Sequence, residues 1–226
     1  MIVSIHQPQY LPWLPYFSKI ASSDIFVFLD EVQFQKNGIQ NRNQLKNTQG
    51  KFWLTVPVSV KLGENINEIN SIDSGWRKKH IKSIENNYSR SKNFNFFSDH
   101  IKDIILNHDP SIKNLNISLI KIICQKYFGL NTKFVMQSEL DVRGNGSDLI
   151  LNICKTLNAQ KYISGPGGKN YINGDKFLEK NILIKYMENK LPSYYPQQHV
   201  RAGFFNDLSA LDFILNVSYP NEYFSI

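Results

Sequence analysis

The sequence predicts an α/β fold of Rossmann-like type, with a mostly parallel sheet, helices on both faces and a helical insertion. Short apolar strands alternate with helical stretches of about ten residues, an order that requires crossover connections. One long helical stretch interrupts this alternation and is predicted to be an insertion. With 42% hydrophobic and 20% charged residues, the composition is that of a folded globular protein.

The chain opens with a strand, a helix and a second strand. A β-branched strand is predicted over Ile2 to Ile5, a short helix over Leu14 to Ala21, and a strand buried on both faces over Asp24 to Leu29. A polar, amide-rich stretch from Asp30 to Gln49 follows, part of which would form a hairpin. A third strand is then predicted from Phe52 to Val60.

The remainder contains the helical insertion, at about 74–129, and a second run of alternating elements. We expect residues 1–226 to form one domain. Strands are predicted at Lys133 to Met136, Lys161 to Ser164 and Ile182 to Met187, and helices at Ser147 to Leu157 with Ser147 as N-cap, Asp175 to Lys180, and Leu208 to Asn216 with caps at Asn206 and Asp207.

Charge and cysteine content narrow the class of protein. There are 26 Lys+Arg against 19 Asp+Glu, a formal net charge of +7, but Lys and Asn are frequent throughout rather than clustered. Nucleic acid is therefore not the expected partner. No apolar run is long enough to span a membrane, the N-terminus lacks the pattern of a secretory signal, and the two cysteines lie in apolar helical patterns, so we expect a cytoplasmic protein without a metal site.

Polar residues follow the predicted strands, where open parallel sheets bind ligands. His6 and Gln7 follow the first strand, and Asp30 follows the second. His6 suits a general base, with Asp30 as its orienting or proton-handling partner; a structural histidine and a loop cap are the alternatives. Further candidates for substrate contact lie near other strand ends or in the polar stretch: Gln33, Lys36, Arg42, Ser138, Ser164 and Gly165.

A glycine-rich loop runs from Ser164 to Lys169 between a strand and a helix. Its backbone N–H groups would cradle a phosphate, with Lys169 adding charge, although it matches neither the P-loop nor the dinucleotide motif and a plain turn is the alternative. Three more side chains are assigned to the substrate. Tyr10 would stack on a sugar or a base, or it would pack the first helix onto the sheet. His80 would contact a phosphate or lie on the surface. Tyr171 follows the glycine-rich loop.

Several blocks of sequence, spread over nearly the whole chain, form a recognisable set. The blocks are His6 to Trp13, Phe26 to Phe34, Asn41 to Asn43, Trp53 to Val58, Ser138 to Leu140, Tyr162 to Gly165, Tyr171, and Tyr195 to Gln197. Together they closely resemble the WbqC-like family, although Pro15 stands where the family pattern has glycine.

The resemblance implies a pathway more firmly than a reaction. Such proteins occur with genes for bacterial O-antigen (lipopolysaccharide) and other surface-polysaccharide biosynthesis, and aminoacyl, for example glycyl, or other N-acyl transfer to an amino sugar has been suggested for some. We therefore expect a transferase acting on a nucleotide-linked amino sugar, with no tightly bound cofactor and with a donor, such as acyl-CoA, that the sequence does not identify.

Two alternatives stay open. The strand, His-Pro motif and helix of the opening look faintly like nucleotidyl transferases and adenylate-forming amide ligases of Rossmann-like fold, which would require ATP and Mg²⁺. The second alternative is a non-catalytic module that binds an anion or single-stranded nucleic acid, because aromatic residues are interleaved with Lys and Arg.

Overall fold

Five parallel strands form the central sheet of the computed structural model, which describes residues 1–220. The strand order is β5-β2-β1-β6-β7, which confirms the predicted α/β fold. Numbered along the chain, β1 (Ile2–His6), β2 (Ile25–Phe28), β5 (Lys133–Met136), β6 (Lys161–Ser164) and β7 (Leu183–Tyr186) form this sheet, and β3 (Arg42–Asn47) and β4 (Gly50–Thr55) form a separate antiparallel hairpin.

Alternate residues of β1 and β2 point into two different hydrophobic cores. Val3, Ile5 and Val27 belong to one core, together with residues of helices α6 (Gly146–Thr156) and α7 (Gly174–Leu178). Phe26 and Phe28 belong to the other, with α1 (Leu14–Ala21). Helices therefore cover both faces of the sheet, as the buried strands require.

The segment between β4 and β5 is helical, as the sequence predicts. Its helices share the core of α1 with the hairpin and with the last helix, α8 (Ala210–Asn216). They are α2 (Trp76–Tyr88), α3 (Phe94–Phe96), a π-helical turn (Phe97–Ile101), α4 (Lys102–Asn107) and α5 (Ile112–Lys126). None of the helices within residues 1–220 has both the length and the apolar character needed to cross a bilayer.

The cap residues predicted for two helices are wrong. Helix α6 begins one residue before Ser147, after Asn145, and the Ser147 hydroxyl accepts a hydrogen bond from the Asn173 N–H at 2.9 Å. Helix α8 begins after Ser209, whose hydroxyl oxygen accepts from the Leu211 N–H at 3.1 Å. The caps predicted at Asn206 and Asp207 therefore lie before the cap residue, and Asp207 pairs instead with Lys51 at 2.5 Å.

The third predicted strand is shorter than expected and lies outside the parallel sheet. It ends at Thr55, two residues before Pro57, and pairs antiparallel with β3. Proline lacks the N–H that a continuing ladder needs, which accounts for the early end. Pro15, in contrast, lies in the first turn of α1, where its missing N–H has no partner to lose.

The strand order creates a gap between the connections that leave β1 and β6. The chain leaves β1 through α1 toward β2 on one side, and leaves β6 through α7 toward β7 on the other, although β1 and β6 are hydrogen-bonded neighbours. Ligands of open α/β sheets bind at this kind of switch point, beyond the carboxyl ends of the strands. A ligand site is therefore expected beside His6 and Ser164, the last residues of β1 and β6.

Candidate functional site

A pocket of about 370 Å³ opens at the carboxyl ends of β1 and β6. His6 and Gln7 line it from β1, and Ser164 with the glycine-rich loop lines it from β6. Helix α1 contributes Tyr16 and Lys19. Aromatic and amide side chains complete the wall, among them Trp13, Tyr162, Tyr171 and Asn189. An apolar pocket with a few convergent polar groups is the usual form of a small-molecule site.

The His6 imidazole is held by its neighbours on one nitrogen. Nδ1 lies 3.1 Å from the Gln7 carbonyl oxygen, and the Tyr16 and His6 rings meet edge-on with their centroids 5.0 Å apart. Because a carbonyl oxygen only accepts, the contact with Gln7 assigns the proton to Nδ1 and leaves Nε2 as an acceptor. No residue within 1–220 hydrogen-bonds to Nε2.

Burial and the nearby Lys19 charge lower the His6 pKa to about 3. The imidazole is therefore neutral at physiological pH. A base this weak accepts protons poorly near neutrality, so its pKa does not suit the general-base role predicted from the sequence. A neutral Nε2 remains well suited to accept a hydrogen bond from a ligand.

Gln7 is oriented by a second amide. The Gln40 Nε2 donates to the Gln7 Oε1 at 2.8 Å, which fixes which end of the Gln7 amide is used and leaves its Nε2 available as a donor. The side-chain oxygens of Gln9 and Gln40 are buried without a hydrogen-bond partner within residues 1–220. Gln40 therefore orients Gln7, Gln9 lies beside the His6 Nδ1, and sequence reasoning singled out neither glutamine.

Lys19 is a buried lysine in the pocket wall that sequence reasoning also missed. Its residue is 6% exposed, and its Nζ donates to the Ile5 carbonyl oxygen at 2.7 Å. Burial lowers the Lys19 pKa to about 7. The only available signal was its position between Tyr16 and Ile20 on a short helix, and lysine is so seldom buried that this signal is weak.

The glycine-rich loop folds back onto the end of β6. Ser164 is buried and donates from its hydroxyl to the Gly165 carbonyl oxygen at 3.0 Å, and a short 3₁₀ helix runs over Pro166–Asn170. A Cβ at Gly168 would lie 2.0 Å from the Ser164 Oγ, so only glycine fits there. Lys169 is exposed, with its Nζ 5.7 Å from the Tyr186 ring centroid. Tyr171, 54% exposed, stands at the pocket.

Asp30 lies apart from the pocket. Its carboxylate is fully buried and accepts from the Ser138 N–H at 3.0 Å and from the Ser138 hydroxyl at 2.7 Å, with the Lys113 Nζ at 3.4 Å. No hydrogen bond within residues 1–220 joins it to His6. Leu29, just after β2, lines the pocket, but the Asp30 carboxylate turns toward Ser138 beyond the end of β5, so the predicted pairing of Asp30 with His6 is not formed.

Tyr10 and His80 form a buried pair in the core rather than a substrate contact. The Tyr10 hydroxyl lies 2.9 Å from the His80 Nδ1, and the His80 Nε2 lies 3.2 Å from the Thr55 carbonyl oxygen. His80 is 6% exposed, so neither the phosphate nor the surface prediction holds. Burial lowers its pKa to about 4. The spacing of four residues from Trp76 to His80 and on to Ile84 could have indicated a buried face.

The other candidate residues line other surfaces. Gln33 and Lys36 are exposed in the connection between β2 and β3. The Arg42 guanidinium lies 4.4 Å from the Trp53 ring centroid and donates to the Asn37 carbonyl oxygen. None of these three lines the pocket. Within residues 1–220, no three His, Cys, Asp or Glu side chains are grouped so that they could hold a metal ion.

The fold and the pocket define an α/β protein with a ligand crevice at a topological switch point. Over residues 7–222 the chain matches the model of the WbqC-like protein family, to which it therefore belongs. It is 31% identical over 218 residues to the uncharacterized protein Rv1507c of Mycobacterium tuberculosis (strain ATCC 25618 / H37Rv), an alignment that covers 95% of this chain and 93% of that protein. No solved structure matches the chain significantly.

Proposed function

We propose that this protein is a transferase of bacterial surface-polysaccharide biosynthesis, O-antigen included. It moves an aminoacyl group, such as glycyl, or another acyl group onto the amine of a nucleotide-linked amino sugar. The observation that carries the proposal is the pocket at the β1–β6 switch point, where His6, Gln7 and Lys19 meet the glycine-rich loop. Membership of the WbqC-like family, together with the pathway that this family resemblance implies, supports the assignment.

The position of the pocket supports a nucleotide-linked substrate. Parallel sheets with this strand order bind nucleotides at the switch point, with phosphates against the loop that follows a strand. Here that loop is Gly165–Gly168, with Lys169 beside it as a cation for a diphosphate. Tyr171 offers an exposed ring for a base or sugar to stack on.

The polar groups of the pocket suit amide formation. An amine attacks an acyl carbonyl carbon, which places negative charge on the carbonyl oxygen, and that charge needs hydrogen-bond donors. The Gln7 Nε2, whose orientation Gln40 sets, is such a donor. The neutral His6 Nε2 accepts a hydrogen bond from the attacking amine and aims its lone pair.

A second candidate is an ATP-dependent nucleotidyl-transferase-like or amide-forming ligase. The same strand order favours it, because ATP would occupy the switch point as readily as a nucleotide-linked sugar does. In that case the loop would hold the ATP phosphates, with Mg²⁺ brought by the nucleotide. The two candidates differ in which nucleotide binds first and whether Mg²⁺ is required.

Thermal-shift titration separates these functions. Wild type, His6→Ala and Arg90→Ala are each mixed with UDP- or dTDP-linked amino sugars, ATP with and without Mg²⁺, acyl-CoAs and an oligonucleotide. Arg90 is the control because it lines a second pocket of about 260 Å³, away from β1. A ligand at 100 times its Kd adds about 2.7 kcal/mol to the free energy of unfolding.

The outcomes point in different directions. Stabilisation by a sugar nucleotide that is lost in His6→Ala and kept in Arg90→Ala supports the transferase, and mass spectrometry then tests whether the sugar gains an acyl group. Stabilisation by ATP alone supports the ligase. A response to the oligonucleotide alone, unchanged by His6→Ala, contradicts both and indicates a binding module.

A further inference from the structure

We propose that Lys19 is the proton acceptor of the pocket and takes the proton from the acceptor amine as that amine attacks the acyl group. This inference rests on the proposed function. It adds a catalytic residue that neither the motifs of the sequence nor the family match identifies, and it moves the base from His6 to the neighbouring helix.

Geometry places the Lys19 amine where the reaction would occur. Ile5, His6 and Lys19 line the same pocket, and the Lys19 Nζ is anchored 2.7 Å from the Ile5 carbonyl oxygen, one residue before His6. Lys19 and His6 are close enough for the lysine charge to disfavour protonation of the imidazole. An amine bound to His6 in this pocket would therefore share it with Lys19.

The surroundings of Lys19 favour the free amine over the ammonium ion. The titratable side chains that share the pocket with it are His6, Tyr16, Tyr162 and Tyr171. Near pH 7 the tyrosines are protonated and His6 is deprotonated, so all four are neutral. None of the ion pairs within residues 1–220 involves Lys19. A buried ammonium without a carboxylate is unfavourable, which agrees with a pKa lowered to about 7.

The proton-transfer step balances without a further reactant. The acceptor nitrogen forms a bond to the acyl carbon of an activated donor, an ester, thioester or mixed anhydride, and the bond from that carbon to the leaving group breaks. The nitrogen gives its proton to the Lys19 Nζ, which becomes an ammonium. Lys19 then returns the proton to the departing group, so that amide and protonated leaving group are the products.

Two other roles fit less well. A lysine that attacked the donor itself would form an amide as stable as the product, and the acyl group would not move on to the sugar. His6, with a pKa of about 3, is too weak a base near neutral pH, whereas a group that titrates near the working pH transfers protons most effectively. Lys19 meets that condition, and His6 is left to position the amine.

The first test measures Lys19 without requiring turnover. Wild type carrying ¹³C-labelled lysine is titrated by NMR from pH 5 to pH 11, and the Lys19 signal is assigned by its absence from Lys19→Met. A midpoint near pH 7 in the folded protein, which moves toward 10.5 in urea, supports the inference. A folded midpoint above pH 9 overturns it.

The second test uses the transfer reaction. Lys19→Met keeps the length of the side chain without a proton acceptor, and Lys19→Arg keeps a permanent charge. Lys102→Met is the control, since Lys102 pairs with Glu85 at 2.8 Å and does not line the pocket. Removing a general base lowers kcat by roughly 100-fold or more. We expect that loss in both Lys19 variants with little change in the KM for the sugar, and none in Lys102→Met.

The pH profile distinguishes a base from a structural residue. Wild-type kcat/KM should fall on the acid side with the same midpoint that NMR gives for Lys19 in the free protein, and the residual activity of Lys19→Met should lack that limb. If wild type transfers the acyl group and the kcat of Lys19→Met is within twofold of the wild-type kcat, the inference is overturned and the proposed function stands. Failure of wild type to transfer from any donor would instead overturn the proposed function, and the inference with it.

Discussion

Replacing Gly168 with alanine tests how the glycine-rich loop closes against β6. The new Cβ would lie 2.0 Å from the Ser164 Oγ, 2.8 Å from the Ile172 Cδ1 and 3.2 Å from the Ser164 Cβ. Rotating the Ser164 hydroxyl away would break its hydrogen bond to the Gly165 carbonyl and would still leave the other two contacts too short. Because Ser164 is 1% exposed, the loop has to move.

We expect Gly168→Ala to lower the free energy of unfolding by about 1–3 kcal/mol, the usual range for overpacking a buried site. For a chain of this size that corresponds to a fall in Tm of about 2–12 °C. Differential scanning calorimetry and urea unfolding measure it. The displaced loop should also weaken binding of any ligand that stabilises wild type.

Gly167→Ala provides the matched control in the same loop. A Cβ there meets no atom within 4 Å and its backbone angle is not in the left-handed region, so the variant should match wild type or be more stable by about 0.4–1 kcal/mol. Equal stability of the two variants, or a larger loss in Gly167→Ala, would refute this account of the loop.

Three further predictions concern buried groups. The pKa of Lys19 is about 7 in the folded protein and 10.5 in the unfolded chain, so the unfolded chain binds more protons between these pH values. Relative to Lys19→Met, the free energy of unfolding of wild type, measured in urea, should therefore rise by about 3 kcal/mol from pH 7 to pH 10. The same pH dependence in both proteins would contradict this. Asp212 accepts from Tyr88 at 2.6 Å and from Tyr195 and Gln197, so Asp212→Ala should lower the free energy of urea unfolding by about 3 kcal/mol or more, whereas a loss below about 1 kcal/mol would show that the network contributes little. Burial raises the pKa of Cys124 and Cys154 to about 12, so a thiol reagent should modify them only after unfolding; modification of the folded protein would contradict their burial.

The elements with a strong apolar pattern could be predicted closely. Helix α1 and strands β5 and β6 begin and end at the predicted residues, because each is an apolar run bounded by polar or turn residues. A hairpin was expected within the polar stretch, but the bounds of β3 were not predicted, since it reads Arg-Asn-Gln-Leu-Lys-Asn and forms by pairing with β4. A strand whose stability comes from its partner leaves little periodic signal of its own.

The expectation that ligands bind at the carboxyl ends of parallel strands predicted part of the pocket. It singled out His6, Gln7, Ser164 and Gly165, all of which line the pocket. It did not show that the Asp30 carboxylate would bond to Ser138 beyond the end of β5 rather than to His6, because the direction of a side chain after a strand depends on tertiary packing.

Side-chain burial was the other quantity that the sequence could not supply. His80 and Tyr10 satisfy each other inside the core, and Lys19, of a residue type that is usually exposed, faces the pocket from within. The most reactive group in the proposed mechanism was therefore invisible to motif reasoning. It became evident only from its single hydrogen bond to Ile5 and the absence of an ion pair to it within residues 1–220.

Calorimetric titration of a UDP-linked amino sugar measures whether the crevice between β1 and β6 binds the proposed substrate. Wild type, His6→Ala and Arg90→Ala are compared at equal concentration. We expect wild type to bind this sugar nucleotide, His6→Ala to bind it roughly tenfold or more weakly, a loss of about 1.4 kcal/mol, and Arg90→Ala to bind it as wild type does. Equal binding by wild type and His6→Ala, or a loss confined to Arg90→Ala, would contradict this expectation.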